Sequence, residues 1–310
     1  MPKGSVICVV GPTAVGKSDV ADGVACELGG EVVSIDSMQV YRGMDIGTAK
    51  TPFNERRCTL HMVDVADVCE PYSVAQFQED ARLCVDSLMD EGRPAILCGG
   101  TGLYLDAVVD EMDFPRGNTV GKIRKQYEAY AEAHGGEALH ALLAAKDPAS
   151  ARLIHPNNVR RAIRALEMYE EGKSYALQHE GLHSRVPHYT TRMWALFTER
   201  SVLYARINKR VDRMFEDGLV DEVRMLCNKG LKESVTARNA IGYKEVMGAL
   251  DGSISLDEAR ELTKRNSRRY AKRQLSWIKR DGRANTIDVE KTGIQGAVKI
   301  ICDDWRTTQQ

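Results

Sequence analysis

An apolar run, Val6-Ile7-Cys8-Val9-Val10, leads straight into GPTAVGKS at 11–18, and this junction restricts the fold of the 310-residue chain more than any other stretch. The spacing G-x-x-x-x-G-K-[ST] is that of a phosphate-binding loop. Its glycines let successive backbone N–H groups turn inward onto phosphate oxygens, and the helix that follows adds a partial positive charge. Lys17 supplies a full charge, and Ser18 a hydroxyl suited to a magnesium ion. With glycine at about 7% per position, chance gives such a pattern in roughly one per cent of chains this long. Between an apolar strand and a helix it is rarer still. Gly11, Pro12, Thr13, Ala14, Val15, Gly16, Lys17 and Ser18 therefore form the candidate phosphate cradle.

The pattern around the loop predicts an α/β fold built on a parallel sheet. Strands are expected at 5–10, 31–35, 94–98 and 191–197, with helices at 17–28 and 74–91 between them. Gly29-Gly30 ends the first helix, as C-terminal glycines commonly do. Ala75, Ala81, Leu83, Val85, Leu88 and Met89 supply the apolar face of the second. In such sheets ligands sit at the carboxyl ends of the strands, and the polar motifs at 11–18, 36–41 and 99–104 all fall there. After Pro115 the strand signals stop and residues 121–182 read as helical. The expected organisation is a catalytic core, 1–115 and 190–310, carrying a mostly helical insertion at 116–189. Further long helices are expected at 202–216, 220–229 and 255–279.

What the loop lacks is also informative. Nucleotide-hydrolysing P-loop enzymes usually brace magnesium with an acid at the end of a second strand. Here the strand before Gly99-Gly100 offers none. The nearest strand-end acid is Asp36, followed by Ser37, Met38 and Gln39, a cluster suited to grasping a polar organic substrate. A diphosphate grip opposite a carboxylate and an amide suits a reaction in which the diphosphate leaves. A P-loop small-molecule kinase is the alternative that shares the loop and sheet. An RNA-binding protein with a vestigial loop is the other, although the intact Lys17-Ser18 pair and Asp36 argue against decay.

The net charge is only −1, yet residues 260–283 hold ten basic side chains against two acids, a local net of +8. Such segregation is expected of a polyanion binder, and the interleaved Tyr270, Gln274 and Trp277 are able to stack on or hydrogen-bond to nucleic acid. The eight cysteines show no C-x-x-C pair, which argues for reduced thiols in a cytoplasmic protein rather than zinc or disulfides. No apolar run approaches the ~18 residues of a membrane span, and the first ten residues do not read as a secretory signal. His61 and His155 read as structural or loop hydrogen-bonders without a second ligand at metal spacing. Tyr41 and Tyr104 read as wall or core.

Taken together, GPTAVGKS, IDSMQVYRGMDIGTAK (35–50), HMVD (61–64) and GGTGLY (99–104) resemble the tRNA dimethylallyltransferases, also called tRNA isopentenyltransferases. So do HPNNVRRAIRALE (155–167), LYARINKRVDRMFEDGLVDEV (203–223), AIGYKE (240–245) and KRQLSWIK (272–279). The blocks run in family order from about residue 5 to 280. Two positions depart from the family pattern: Arg160 stands where glutamine is usual, and Ser18 where threonine is frequent. The resemblance implies a P-loop NTPase-like core and transfer of a dimethylallyl group from dimethylallyl diphosphate to N6 of adenosine 37 in tRNA. Adenine's exocyclic amine is a poor nucleophile, and Asp36 is the candidate general base for it. Thr13, Lys17, Ser18 and magnesium suit the departing diphosphate, and Arg206 and Arg210, four apart on one helix face, are able to close over it, the family pattern favouring Arg210. The resemblance further implies tRNA contacts from Asp36, Ser37, Met38, Gln39, Thr101 and Arg124, and from Arg160, Arg161, Ala162, Ile163 and Arg164. A bacterial type is expected, since the tail after Lys279 has only Cys302 where eukaryotic relatives often add a zinc finger, and a monomer is expected.

Overall fold

The computed structural model describes residues 2–114, 121–181 and 185–308. The expected domain boundary at 115–116 and the expected helical end at 182 fall outside them. Among the described residues six strands, β1 (Ser5–Val10), β2 (Glu31–Ile35), β3 (Leu60–His61), β4 (Ala95–Gly99), β5 (Thr190–Phe197) and β6 (Ala284–Asp288), form one sheet. Their order is β3-β2-β4-β1-β5-β6. Every pairing is parallel. With β1 inside the sheet and the chain winding first to one side and then to the other, the switch point lies beside the phosphate loop. That is where open parallel sheets bind ligands, and the architecture is a P-loop NTPase-like fold.

Alternation along β1 divides the interior into two layers. Val6, Cys8 and Val10 face one core, which is closed by α2 (Val74–Asp90), α3 (Gly102–Val109), α9 (Leu219–Cys227) and α10 (Tyr243–Leu250). Ile7 and Val9 face the other, closed by α1 (Lys17–Leu28), α8 (Arg200–Glu216) and α12 (Val289–Thr308). The buried stripe of α2 is Phe77, Ala81, Val85 and Leu88. Leu83, expected on that stripe, is 70% exposed because it lies half a turn away from Val85 and Ala81. Tyr41 and Tyr104 are core residues, the latter against Phe77 with ring centroids 4.4 Å apart. His61 pairs with the buried Glu31, which also takes Arg93, and His155 accepts from the Asn157 amide.

The long helix α11 (Leu256–Arg280) packs against α3, α8 and α10. The chain divides into two compact units, Met1–Asp110 with Pro187–Gln310, and Glu111–Val186. The second unit contains α4 (Lys122–Lys146), α5 (Pro148–Leu153), α6 (Val159–Glu170) and α7 (Tyr175–Gly181). It has its own core of Tyr127, Leu139, Leu143, Ile154, Ile163 and Leu166. Gly135, at φ 84°, breaks α4 into two helical pieces.

Candidate active site

The turn from β1 into α1 is held open by two left-handed residues, Ala14 (φ 65°) and Gly16 (φ 101°). A non-glycine residue there is uncommon and marks a backbone fixed by its surroundings. The Lys17 ammonium folds back to donate to the Pro12 carbonyl at 2.8 Å. The Thr13 amide donates to Gln274 Oε1 at 2.8 Å, so phosphate recognition falls to the later amides of the loop. Arg210, from α8, donates to Thr13 Oγ1 at 3.0 Å. Arg206 instead pairs with Glu290 at 2.5 Å, although both line a 370 Å³ basin beside Lys17 and Ser18.

Burial pulls the Lys17 ammonium down to about 8, with Arg210 adding to the effect and Asp36 opposing it. Burial likewise lowers Arg210, again against the pull of Asp36. Two desolvated cations facing one carboxylate leave the site short of negative charge. A bound anion removes that cost.

Asp36 sits just past β2, with Oδ1 accepting from the Met38 amide at 2.9 Å. Two cavities meet around it. The smaller, 90 Å³, is polar and is lined by Lys17, Ser18, Asp22, Ser34 and Gln39. The larger, 250 Å³, takes Ser37 and Met38 on one side and Ile207, Val211 and Met214 on another. Thr13, Asp36, Thr48, Arg210 and Tyr270 line both. The phosphate loop and a partly apolar chamber therefore share a carboxylate at their junction.

Several predicted residues are present but differently employed. Gln39 is tethered inside the protein, its Oε1 accepting from Ser34 Oγ at 2.8 Å and its Nε2 donating to the Thr48 carbonyl at 3.2 Å. It lines the smaller cavity, so the base-facing wall falls to Ser37 and Met38. Thr101 links the Asp36 loop to α11, accepting from the Ser37 amide at 3.3 Å with Tyr270 Oη 3.4 Å away. Gln274, instead of reaching for nucleic acid, is buried, donating to the Gly100 carbonyl at 3.0 Å while it accepts from Thr13. The Trp277 indole donates to Asp106 Oδ2 at 3.0 Å. The glycines of GGTG serve close approach: a Cβ on Gly100 would stand 2.1 Å from Gln274, and one on Gly102 2.4 Å from Trp277.

In the helical unit, Arg124 holds the buried Glu167 bidentately, both bonds at 2.9 Å, which ties α4 to α6. Arg164 lies 3.8 Å from the same carboxylate. Ala162 and Ile163 are core residues at 0% and 3% exposure, so they offer RNA no side-chain surface, contrary to the expectation from the motif. The reason is the helical period: they point inward while Arg160 and Arg161 are exposed.

Sequence reasoning missed the apolar chamber wall. Ile207, Val211 and Met214 recur at the helical spacing of any buried face, and only the intervening Arg210 hinted that this face meets a site. Asp22 escaped notice because it lies inside α1 rather than at a strand end.

Comparison with known proteins agrees with this geometry. The IPP transferase family model matches residues 39–281. A tRNA dimethylallyltransferase of Streptomyces coelicolor is 49% identical over 92% of this chain and 90% of its own length. One from Geobacillus thermodenitrificans is 48% identical over 88% and 87%. The full-length tRNA isopentenylpyrophosphate transferase of Bacillus halodurans superposes with a TM-score of 0.71 at 40% identity, covering 98% of both chains. A eukaryotic dimethylallyltransferase captured acting on tRNA gives a TM-score of 0.79 at 26% identity, covering 99% of this chain and 80% of its own.

Proposed function

The chain belongs to the IPP transferase family, and from that membership we propose how its site works as a tRNA dimethylallyltransferase. It transfers a prenyl group to tRNA. Dimethylallyl diphosphate is the donor, and N6 of the adenosine beside the anticodon is the acceptor. One observation carries the reading: Thr13, Asp36 and Arg210 line both the phosphate-loop cavity and the larger chamber. The diphosphate rests on the later loop amides, Lys17, Ser18 and Arg210, and the allylic carbon points past Asp36 into the chamber.

The exocyclic amine of adenine is a weak nucleophile because its lone pair is delocalised into the ring. Asp36 takes its proton as the N–C bond forms, and the C–O bond to diphosphate breaks. Charge develops on the departing oxygens, which Arg210, the Thr13 hydroxyl and Lys17, turned from the Pro12 carbonyl, stabilise. A base stacked in an anticodon loop reaches this chamber only by flipping out, which costs least in an unpaired loop. Ser37 and Met38 then flank it, with Gln39 and Thr101 holding that wall in place. Arg160 and Arg161 on α6 and the exposed stripe of α11 are the backbone grips.

The oxygen donors at the loop suit magnesium, a hard cation that keeps waters and binds through few protein ligands. Ser18 and Asp22, which line the same cavity, would hold it, and it would supply charge neutralisation of the diphosphate. No helix among the described residues is long and apolar enough to cross a membrane. A tRNA substrate and cysteines without disulfides support a cytoplasmic setting.

The test supplies unmodified tRNA with labelled dimethylallyl diphosphate, and in parallel with labelled ATP. Label entering tRNA from the first alone is expected. Phosphoryl transfer from ATP to a small molecule would make the protein a kinase instead.

A further inference from the structure

The loop that follows the Asp36 motif is anchored from below by a carboxylate. Glu222 of α9, 9% exposed, accepts from three successive backbone amides. Its Oε2 takes Asp45 N at 3.1 Å and Ile46 N at 2.8 Å, and its Oε1 takes Gly47 N at 3.3 Å. Consecutive inward-facing N–H groups make a nest that ordinarily binds a free anion. Here the protein fills it with its own carboxylate, and the fully buried Tyr243 hydroxyl donates to the same Oε1 at 2.6 Å.

The far side of the loop is held by the buried Lys50, which donates to Asp45 Oδ1 and Asp64 Oδ1 at 2.7 Å and to the Tyr41 carbonyl at 3.1 Å. Between the two anchors Ala49 is kept at φ 49°, a left-handed conformation that persists in a non-glycine residue only where neighbours enforce it. The Tyr243 ring is packed so closely that a Cβ on Gly47 would stand 2.3 Å from it. What this clamp positions is part of the site. Gly47 and Thr48 line the larger cavity, Thr48 also lines the smaller one, and the Thr48 carbonyl is the tether of Gln39.

We propose that Glu222, with Tyr243, is a positioning residue for prenyl transfer, an internal anion that fixes the 45–48 loop as the wall against which the acceptor base and the allylic carbon meet. Glu222 lines neither cavity, while Tyr243 borders the larger one beside Gly47, and both act by holding the loop. The proposal rests on the reading of the site as a tRNA prenyltransferase.

The experiment compares wild type with Glu222→Gln, Tyr243→Phe and Gly47→Ala in single-turnover transfer to tRNA, with rates normalised to active sites, beside melting temperature and KM for dimethylallyl diphosphate. Glu222→Gln keeps the shape but presents an NH2 to donors that need an acceptor. Tyr243→Phe removes one of the four bonds, and Gly47→Ala pushes on the Tyr243 ring and hydroxyl without deleting any polar group of the clamp. Misplacing a reacting group by about 1 Å costs up to ~100-fold, so single-turnover rates should fall about 10–100-fold in the Glu222→Gln and Gly47→Ala variants and less in Tyr243→Phe. KM for the donor should stay within a few-fold. Wild-type rates per active site in the Gly47→Ala and Tyr243→Phe variants, whatever their melting temperatures, would overturn the proposal and make the clamp purely structural. If wild type itself puts no label into tRNA, the underlying reading has failed instead.

Discussion

At the scale of single residues the site depends on charges held out of water. Asp36→Asn keeps the Met38 contact but cannot take a proton, so single-turnover transfer should drop by about 10²–10⁴, with tRNA affinity within a few-fold of wild type. A variant with near wild-type turnover would remove Asp36 from that role. Lys17 gives a pH signature. Burial lowers its pKa from 10.5 to about 8, so in the free enzyme the charged form that phosphate needs is lost as pH rises through about 8. kcat/KM for the donor reports the free enzyme. It should therefore decline above about pH 8, approaching tenfold per pH unit, and a Lys17→Arg variant should show a flat profile there. A wild-type profile that stays flat well into the alkaline range would show that Lys17 keeps its proton. The phosphate loop and Asp36 were legible in the sequence because their chemistry is local: glycine spacing, a lysine, an acid at a strand end. Gln39, Thr101 and Gln274 were visible as polar residues, but their partners lie in other elements. Gln274 and Thr13, for example, are 261 positions apart.

At the scale of elements, α11 illustrates what periodicity reveals and what it hides. Arg265, Arg269, Lys272, Lys279 and Arg280 lie along its outward side at helical spacing, Arg273 borders the larger cavity, and Gln274 and Ile278 are buried on another face. The two faces predict separable defects. Lys272→Ala or Arg269→Ala should flatten the log–log salt dependence of tRNA binding by roughly 0.7–0.9 for each phosphate interaction removed and leave donor KM unchanged. Gln274→Ala orphans the Thr13 amide and the Gly100 carbonyl, so it should raise donor KM and leave the salt slope alone. Matching phenotypes from the two faces would refute this division. On α6 the same logic separates Arg161, exposed, from Arg124. Removing Arg124 leaves the buried Glu167 with the more distant Arg164 as its cation among the described residues, so Arg124→Ala should cost stability on the order of a few kcal/mol. Arg161→Ala should instead change the salt slope at unaltered melting temperature. The sequence announced β1, β2, β4, β5 and the helices α1, α2, α8, α9 and α11 through apolar runs and 3.6-residue patterns. It was silent on α12, which closes the second core, on β3, two residues long, and on β6, whose only buried residue is Ile287. Both strands lie at the sheet edges, and their identity comes from pairing with a neighbour, not from their own pattern.

At the scale of the whole molecule, a chain of net charge −1 binds a polyanion by concentrating its cations rather than by accumulating them. Division into two compact units extends that logic, since the phosphate loop, Asp36 and both cavities belong entirely to the unit formed by Met1–Asp110 and Pro187–Gln310. The chain leaves that unit and returns to it at one place. Asp110 and Pro187 are bridged antiparallel, the His188 amide donates to the Val109 carbonyl at 2.8 Å, and Arg283 holds the Asp110 carboxylate at 2.7 Å. Paired strands set such residues only about 5 Å apart, so a short Gly/Ser linker can replace residues 111–186 without straining either end. Surface insertions with adjacent termini are commonly removable in this way. The excised protein should unfold in a single cooperative transition and bind dimethylallyl diphosphate within a few-fold of the full chain. Its tRNA affinity at physiological salt should fall by at least about tenfold, with a shallower salt slope, because the phosphate contacts of α6 are gone. Undiminished tRNA affinity in a folded, donor-binding core would assign the whole RNA grip to α11 and leave the helical unit without a part in it.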